Sequence, residues 1–96
     1  ITGGGFIENI PRMVPADLGA VIRKGSWNVL PIFHLLQKMG DIPEEDMYNA
    51  FNMGIGMILA VSPEAADDVV RSATRLGEKA AVIGEIVKGG ERITIC

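Results

Sequence analysis

One cysteine, Cys96, cannot close an internal disulfide, and with one histidine, His34, it is too small a set for a four-ligand zinc site. A reducing, cytoplasmic setting is expected from that cysteine usage. Aromatics are few: one tryptophan, one tyrosine and three phenylalanines. Net charge is −3, with a pI near 5.0, so the chain has neither the basic field nor the stacking surface that nucleic-acid binding needs. The longest nearly unbroken apolar run, Ile55 to Val61, falls far short of the ~20 residues that span a bilayer. No charged-then-apolar leader precedes the first glycine, and there is no initiator Met. A chain that opens directly on a functional-looking motif is expected to be a piece of a longer polypeptide. Internal repeats, low-complexity segments, a Walker A sequence, a nucleophile elbow and an H-E-x-x-H pair are all missing.

What is present is apolar for so small a chain. Hydrophobic residues make up 48% and charged residues 22%, with a mean hydropathy of +0.28, which argues for a globular domain and against disorder. At this length a fold buries roughly 60 to 68% of its unfolded surface, enough for one modest core and a single domain over residues 1–96. The apolar bias suggests that part of the surface is buried against something else.

The organising stretch is Ile1-Thr2-Gly3-Gly4-Gly5-Phe6-Ile7-Glu8-Asn9-Ile10. Three glycines carry no side chain to hold a ligand away, and the N–H groups of a first helical turn lack partners inside the helix. Those donors, with the positive end of the helix dipole, suit a phosphate or carboxylate. The alternative is an ordinary tight turn or a flexible tail. Thr2 stands at an N-cap position, where its hydroxyl could cap the helix or touch the anion.

Further along, Pro11 is expected to stop a short first helix, and Leu18 to Arg23 reads as a strand ending at Lys24-Gly25-Ser26. Trp27 is expected to anchor the core or its rim. Pro31 followed by Ile32, Leu35, Leu36 and Met39, with Gly40 as the stop, predicts an amphipathic helix that leaves His34, Gln37 and Lys38 on its solvated face. Asp41 and Glu44 have capping-box spacing before a helix carrying Met47, Tyr48 and Phe51. The acid run Glu44-Glu45-Asp46 is explained by helix-start electrostatics, and no metal site is expected.

Ile55 to Ser62 reads as a central strand covered on both faces. The Gly54-x-Gly56 before it lacks the third glycine of a dinucleotide fingerprint, and marks either a bulge or the close approach of a ligand or backbone. Asn52 could bind a substrate or cap the turn. Ser62-Pro63-Glu64 opens a helix whose apolar face is Ala66, Val69, Val70, Ala73 and Leu76, ended by Gly77. Gly89-Gly90 between Ala81–Val87 and Arg92–Cys96 is a hairpin signal. The expected fold is α+β, a small mixed sheet with packed helices in the order α-β-α-α-β-α-β-β.

The combination of Thr2-Gly3-Gly4-Gly5-Phe6-Ile7-Glu8-Asn9-Ile10-Pro11-Arg12, Trp27, Pro31-Ile32-Phe33, Met47-Tyr48, Phe51-Asn52-Met53-Gly54-Ile55-Gly56-Met57 and Val82-Ile83-Gly84-Glu85 resembles the phosphoribosylformylglycinamidine cyclo-ligase family, also called aminoimidazole ribonucleotide synthetase. The resemblance covers nearly the whole chain but only the latter part of the family's C-terminal domain. It implies a place in purine synthesis: ATP, with Mg2+, activates the formyl amide oxygen of formylglycinamidine ribonucleotide, and ring closure gives aminoimidazole ribonucleotide, ADP and phosphate. It implies a homodimeric parent whose N-terminal domain, absent here, carries most of the ATP site, so that this piece alone is inactive.

Residue by residue, the resemblance and the glycine chemistry together place Gly3, Gly4 and Gly5 against phosphate oxygens, with Thr2 and Asn9 adding side-chain hydrogen bonds, Arg12 adding charge, and Asn52 coming from the second motif. No residue presents itself as a general base. The alternatives are a binding or scaffold domain with a purely structural glycine loop, or another member of the same ATP-using superfamily, whose members include formylglycinamidine ribonucleotide synthase, selenophosphate synthetase and thiamine monophosphate kinase.

Overall fold

The computed structural model describes residues 1–96. In chain order it has α1 (Gly5–Met13), β1 (Leu18–Ile22), α2 (Pro31–Gly40), α3 (Glu44–Ala50), a single 3₁₀ turn (Pro63–Ala65), α4 (Ala66–Arg75), β2 (Gly84–Lys88) and β3 (Ile93–Ile95). The α+β class and the mixed sheet are as expected; one strand of the expected order is not formed. No helix is long and apolar enough to cross a membrane.

The sheet order is β2-β1-β3, so the central strand is β1. β2 runs antiparallel to it, with Ala20 opposite Ile86, and β3 runs parallel, with Val21 opposite Thr94. The expected hairpin between β2 and β3 is therefore wrong. Gly89 and Gly90 do turn the chain, both at positive φ, but the link then passes over β1 and sets β3 on its far side. Gly19 permits the crossing, because a Cβ there would lie 2.1 Å from the Glu91 carbonyl oxygen. The Gly89 N–H donates to Asp17 O at 3.1 Å and the Ala20 N–H to Arg92 O at 3.1 Å, tying the link down.

Ile55 to Ser62 is not the central strand either. Both edges of β1 are already taken, so this run joins no ladder, and Met57, Leu59 and Val61 are exposed. The same mismatch recurs on two helices. In α2 the stripe Ile32, Leu35, Leu36 and Met39 faces outward, while Phe33 and Gln37 turn toward the protein. Phe33 packs at a tilt on Phe51, and Gln37 Nε2 donates to Ile42 O. His34 is exposed, as expected. α4 packs on no other element except the 3₁₀ turn before it, and its Leu76 is 83% exposed. Hydrophobic periodicity reports which face suits an apolar neighbour, and on α2 and α4 no element of these 96 residues supplies that neighbour.

The core is small: Phe6 and Ile10 from α1, Val14 just beyond its end, Ala20 and Ile22 from β1, Met47 and Tyr48 from α3, and Met53. Trp27 anchors its rim. Its ring stacks on Phe6 at 5.4 Å and 16°, Tyr48 meets the Phe6 ring edge-on at 5.6 Å, and Trp27 Nε1 donates to Met53 O at 2.9 Å.

Two helix ends differ from expectation. α1 continues through Pro11 to Met13: the proline forfeits the single helical bond to Ile7 O, and the carbonyl of Pro11 itself finds a donor outside the helix. That donor is Arg92, whose guanidinium reaches Pro11 O at 2.7 Å and Val14 O at 2.6 Å. Asp41 and Glu44 form no capping box. Asp41 instead closes α2 in the left-handed region at φ 48°, its N–H bonded to carbonyls of the last turn, and α3 starts after Pro43.

Candidate functional site

The glycine loop begins with its carbonyls. Asn9, one turn into α1, points its amide back at the loop: Nδ2 donates to Gly5 O at 2.8 Å, Thr2 O at 3.1 Å and Gly3 O at 3.3 Å. Its Oδ1 accepts the Thr2 hydroxyl at 2.9 Å. Thr2 is thus committed to Asn9 and does not cap α1; the cap position is Gly4, at φ 95° with no side-chain bond. The Gly5 N–H donates to Thr2 O at 3.2 Å. Gly3 and Gly4 N–H groups find no acceptor within the chain.

The three glycines are needed for different reasons. Gly5, buried at φ 57°, sits against the backbone of α3 and its exit, where a Cβ would lie 2.2 Å from Tyr48 O and 2.8 Å from Phe51 O. Gly4 faces the Glu8 side chain. Gly3 has open space around it.

That open side is the wall of a hollow of about 320 Å3, lined by Ile1, Thr2 and Gly3 on one side and by Phe33, Ala50, Phe51 and Asn52 on the other. Residues from the first and second sequence motifs, far apart in the chain, thus share one depression. Asn52 holds its own turn, its Oδ1 accepting the Gly54 N–H at 2.9 Å. Its Nδ2 makes no bond inside the chain, so capping the turn leaves a donor over. Of the candidate residues, Thr2, Gly3 and Asn52 line the hollow, Gly4, Gly5 and Asn9 build the loop behind it, and Arg12 lies exposed on the last turn of α1 away from it.

Two contributors, Arg92 and Asn49, escaped the sequence, and Tyr48, expected there as a helix residue, also borders the loop. Arg92 donates to Pro15 O and Leu18 O, both at 2.5 Å, besides the two α1 carbonyls, and so fixes α1 against the start of β1. Asn49 on α3 stands beside Gly4 and Glu8. Tyr48 beneath the loop has its phenol pKa pushed up from 10.0, first by burial and then by the Glu44 carboxylate, against a smaller opposing effect of Lys24. Lys24 is ion-paired with Glu44, a hydrogen bond that raises its own pKa. Only amide-rich helix faces could have hinted at Asn49; nothing local marks Arg92. No three His, Cys, Asp or Glu side chains gather where they could hold a metal ion.

The family model described as "AIR synthase related protein, C-terminal domain" matches residues 1–96. Among curated relatives, the phosphoribosylformylglycinamidine cyclo-ligase of Acetivibrio thermocellus is 56% identical over 96 residues, all of this chain and 28% of its own length. Those of Bacillus mycoides and Bacillus cytotoxicus are 60% and 61% identical over 89 residues, 93% of this chain and 26% of theirs. The chain spans about a quarter of the length of the curated relatives it matches. With its whole length matched by the family model and a glycine loop and second motif meeting at one hollow, the chain belongs to the AIR synthase related family, as part of its C-terminal domain.

Proposed function

We propose that this chain forms the anion-holding wall of the active cleft in a phosphoribosylformylglycinamidine cyclo-ligase of purine biosynthesis. In that reaction ATP activates the formyl amide oxygen of formylglycinamidine ribonucleotide, the amidine nitrogen closes the imidazole ring, and aminoimidazole ribonucleotide, ADP and phosphate leave. The carrying observation is that Gly3, with an unpaired N–H, lines a hollow together with Thr2 and Asn52, and that the next N–H in the loop, that of Gly4, is unpaired as well. Such donors, fixed before the ligand arrives and reinforced by the N-terminal end of α1, stabilise phosphate oxygens without reorganising.

In this reading the free Nδ2 of Asn52 adds a donor from the opposite wall, Gly5 and Asn9 hold the loop's shape, and Arg12 adds positive charge from outside the hollow. In the same reading the ATP and Mg2+ chemistry belongs mostly to the N-terminal domain of a cytoplasmic, homodimeric parent.

The test is ATP-dependent cyclisation measured on this chain and on a full-length polypeptide containing it. The chain alone is expected to show no turnover. In the full-length enzyme, Gly3→Val is expected to raise the nucleotide KM on the order of tenfold, about 1.4 kcal/mol of binding, with an unchanged melting temperature, since Gly3 has free space around it. An unchanged KM refutes the anion wall.

A further inference from the structure

The bond from the Gly5 N–H to Thr2 O, at 3.2 Å, closes a turn over Thr2, Gly3, Gly4 and Gly5. Its third residue, Gly4, has φ 95° and ψ −7°, the conformation that defines a type II turn. The peptides of this turn are all trans, and they are held in different ways. The Thr2–Gly3 peptide is bonded at its oxygen by Gly5, and the Gly4–Gly5 peptide is bonded at both ends, since Gly4 O accepts the Glu8 N–H at 3.2 Å. The middle peptide, Gly3–Gly4, has no backbone partner at either end. Its oxygen accepts one bond, from Asn9 Nδ2 at 3.3 Å. Asn9 is itself fixed, through Gly5 O at 2.8 Å and the Thr2 hydroxyl at 2.9 Å. Its amide has two hydrogens and three loop carbonyls in reach, so no donor is left over for a ligand.

We infer that Asn9 is a positioning residue that holds this turn in its type II form and thereby aims the Gly4 N–H away from itself, free for an anion. The competing type I form keeps the same closing bond and differs by a half-turn of the middle peptide, which carries the third residue to φ of about −90°. Glycine flanks that peptide on both sides, so no Cβ selects between the two forms. The C=O and N–H of a trans peptide point in opposite directions, so the bond that draws Gly3 O to Asn9 turns the Gly4 N–H the other way. After the half-turn the oxygen would take that direction and repel a phosphate. Selecting one form before binding is preorganisation, which raises affinity without a new contact. The Gly3 N–H lies outside this control, because the Thr2–Gly3 peptide keeps its bond to Gly5 in both forms. The purpose of the device rests on the anion wall proposed above; the control of the turn does not.

The experiment uses NMR of the chain labelled with 15N and 13C. A type II turn gives a strong cross-peak between Gly3 Hα and the Gly4 amide proton, whereas a type I turn gives one between the Gly3 and Gly4 amide protons. The unaltered chain is expected to show the first. Asn9→Ala is expected to show the second, and to weaken the binding of inorganic phosphate, followed at the Gly4 amide, about three- to tenfold, the range for one net hydrogen bond. Asn9→Asp keeps the size of the side chain and the acceptor for the Thr2 hydroxyl and lacks only the donor, so it is expected to change the turn in the same way and carries the test if Asn9→Ala does not fold. The first cross-peak retained in both variants, the second already present in the unaltered chain, or a changed turn with unchanged phosphate binding overturns the positioning role. If the variants change the turn while the unaltered chain shows no phosphate response, Asn9 still sets the turn and the anion reading fails.

Discussion

Gly5 and Tyr48 are in backbone contact: a Cβ built on Gly5 would lie 2.2 Å from the Tyr48 carbonyl oxygen. α1 and α3 therefore approach each other as closely as their main chains allow, and the glycine loop sits directly on the helix that leads to the second motif. A residue chosen for phosphate access on sequence grounds is, at this position, a packing residue.

Gly5→Ala and Gly3→Ala should accordingly behave as opposites. The first must separate two helix backbones and adopt φ 57° with a side chain, and is expected to cost about 3 kcal/mol. The second meets nothing within 4 Å and is expected to stay within about 0.5 kcal/mol of the unaltered chain. Urea unfolding followed by Trp27 fluorescence measures both, and equal losses contradict the division of roles.

Arg92→Ala removes the donor shared by four carbonyls at the end of α1 and the start of β1. Carbonyls left unpaired in a partly buried setting cost about 1–3 kcal/mol, and a loss toward the upper end of that range is expected. Arg92→Lys should recover little of it, because a compact ammonium cannot span carbonyls that the planar guanidinium fork reaches together. Thermal melts of the two variants decide the point.

Tyr48 is the only tyrosine, so absorbance near 295 nm reports its ionisation alone. Its phenol titrates above 10.0, chiefly from burial and then from Glu44. The unfolded chain then loses this proton before the folded one does. Stability tied to the protonated phenol is complete below the unfolded value and is lost as pH rises through the folded one. Glu44→Gln should bring the midpoint down only partway, since burial persists; a full return to the ordinary value would assign the shift to charge.

Met57, Leu59 and Val61 are exposed along an uncharged apolar run with no ladder partner. Such a segment templates association between copies. Leu59→Lys is expected to reduce light scattering of the isolated chain on heating without lowering its melting temperature, since Leu59 is 62% exposed. A drop in melting temperature would mean that Leu59 packs in the fold.

The sequence by itself determined the order and approximate positions of the four helices and of β1, β2 and β3, with β2 read from Ala81 rather than Gly84, together with the rim role of Trp27 and the family, because these rest on local periodicity, on proline and glycine punctuation, and on motif order. The tertiary structure decided what is nonlocal. It put β1 at the centre of the sheet, since the β2–β3 link crosses over Gly19 rather than closing a hairpin. It left Met57, Leu59 and Val61 and the outer stripe of α2 uncovered, because an apolar pattern does not say whether its cover lies in the same 96 residues. It also divided Gly3, Gly4 and Gly5, identical in the sequence, into one open to the hollow, one capping the helix and one pressed against Tyr48: a glycine's role depends on what approaches it, and that is set by packing between helices distant in the chain.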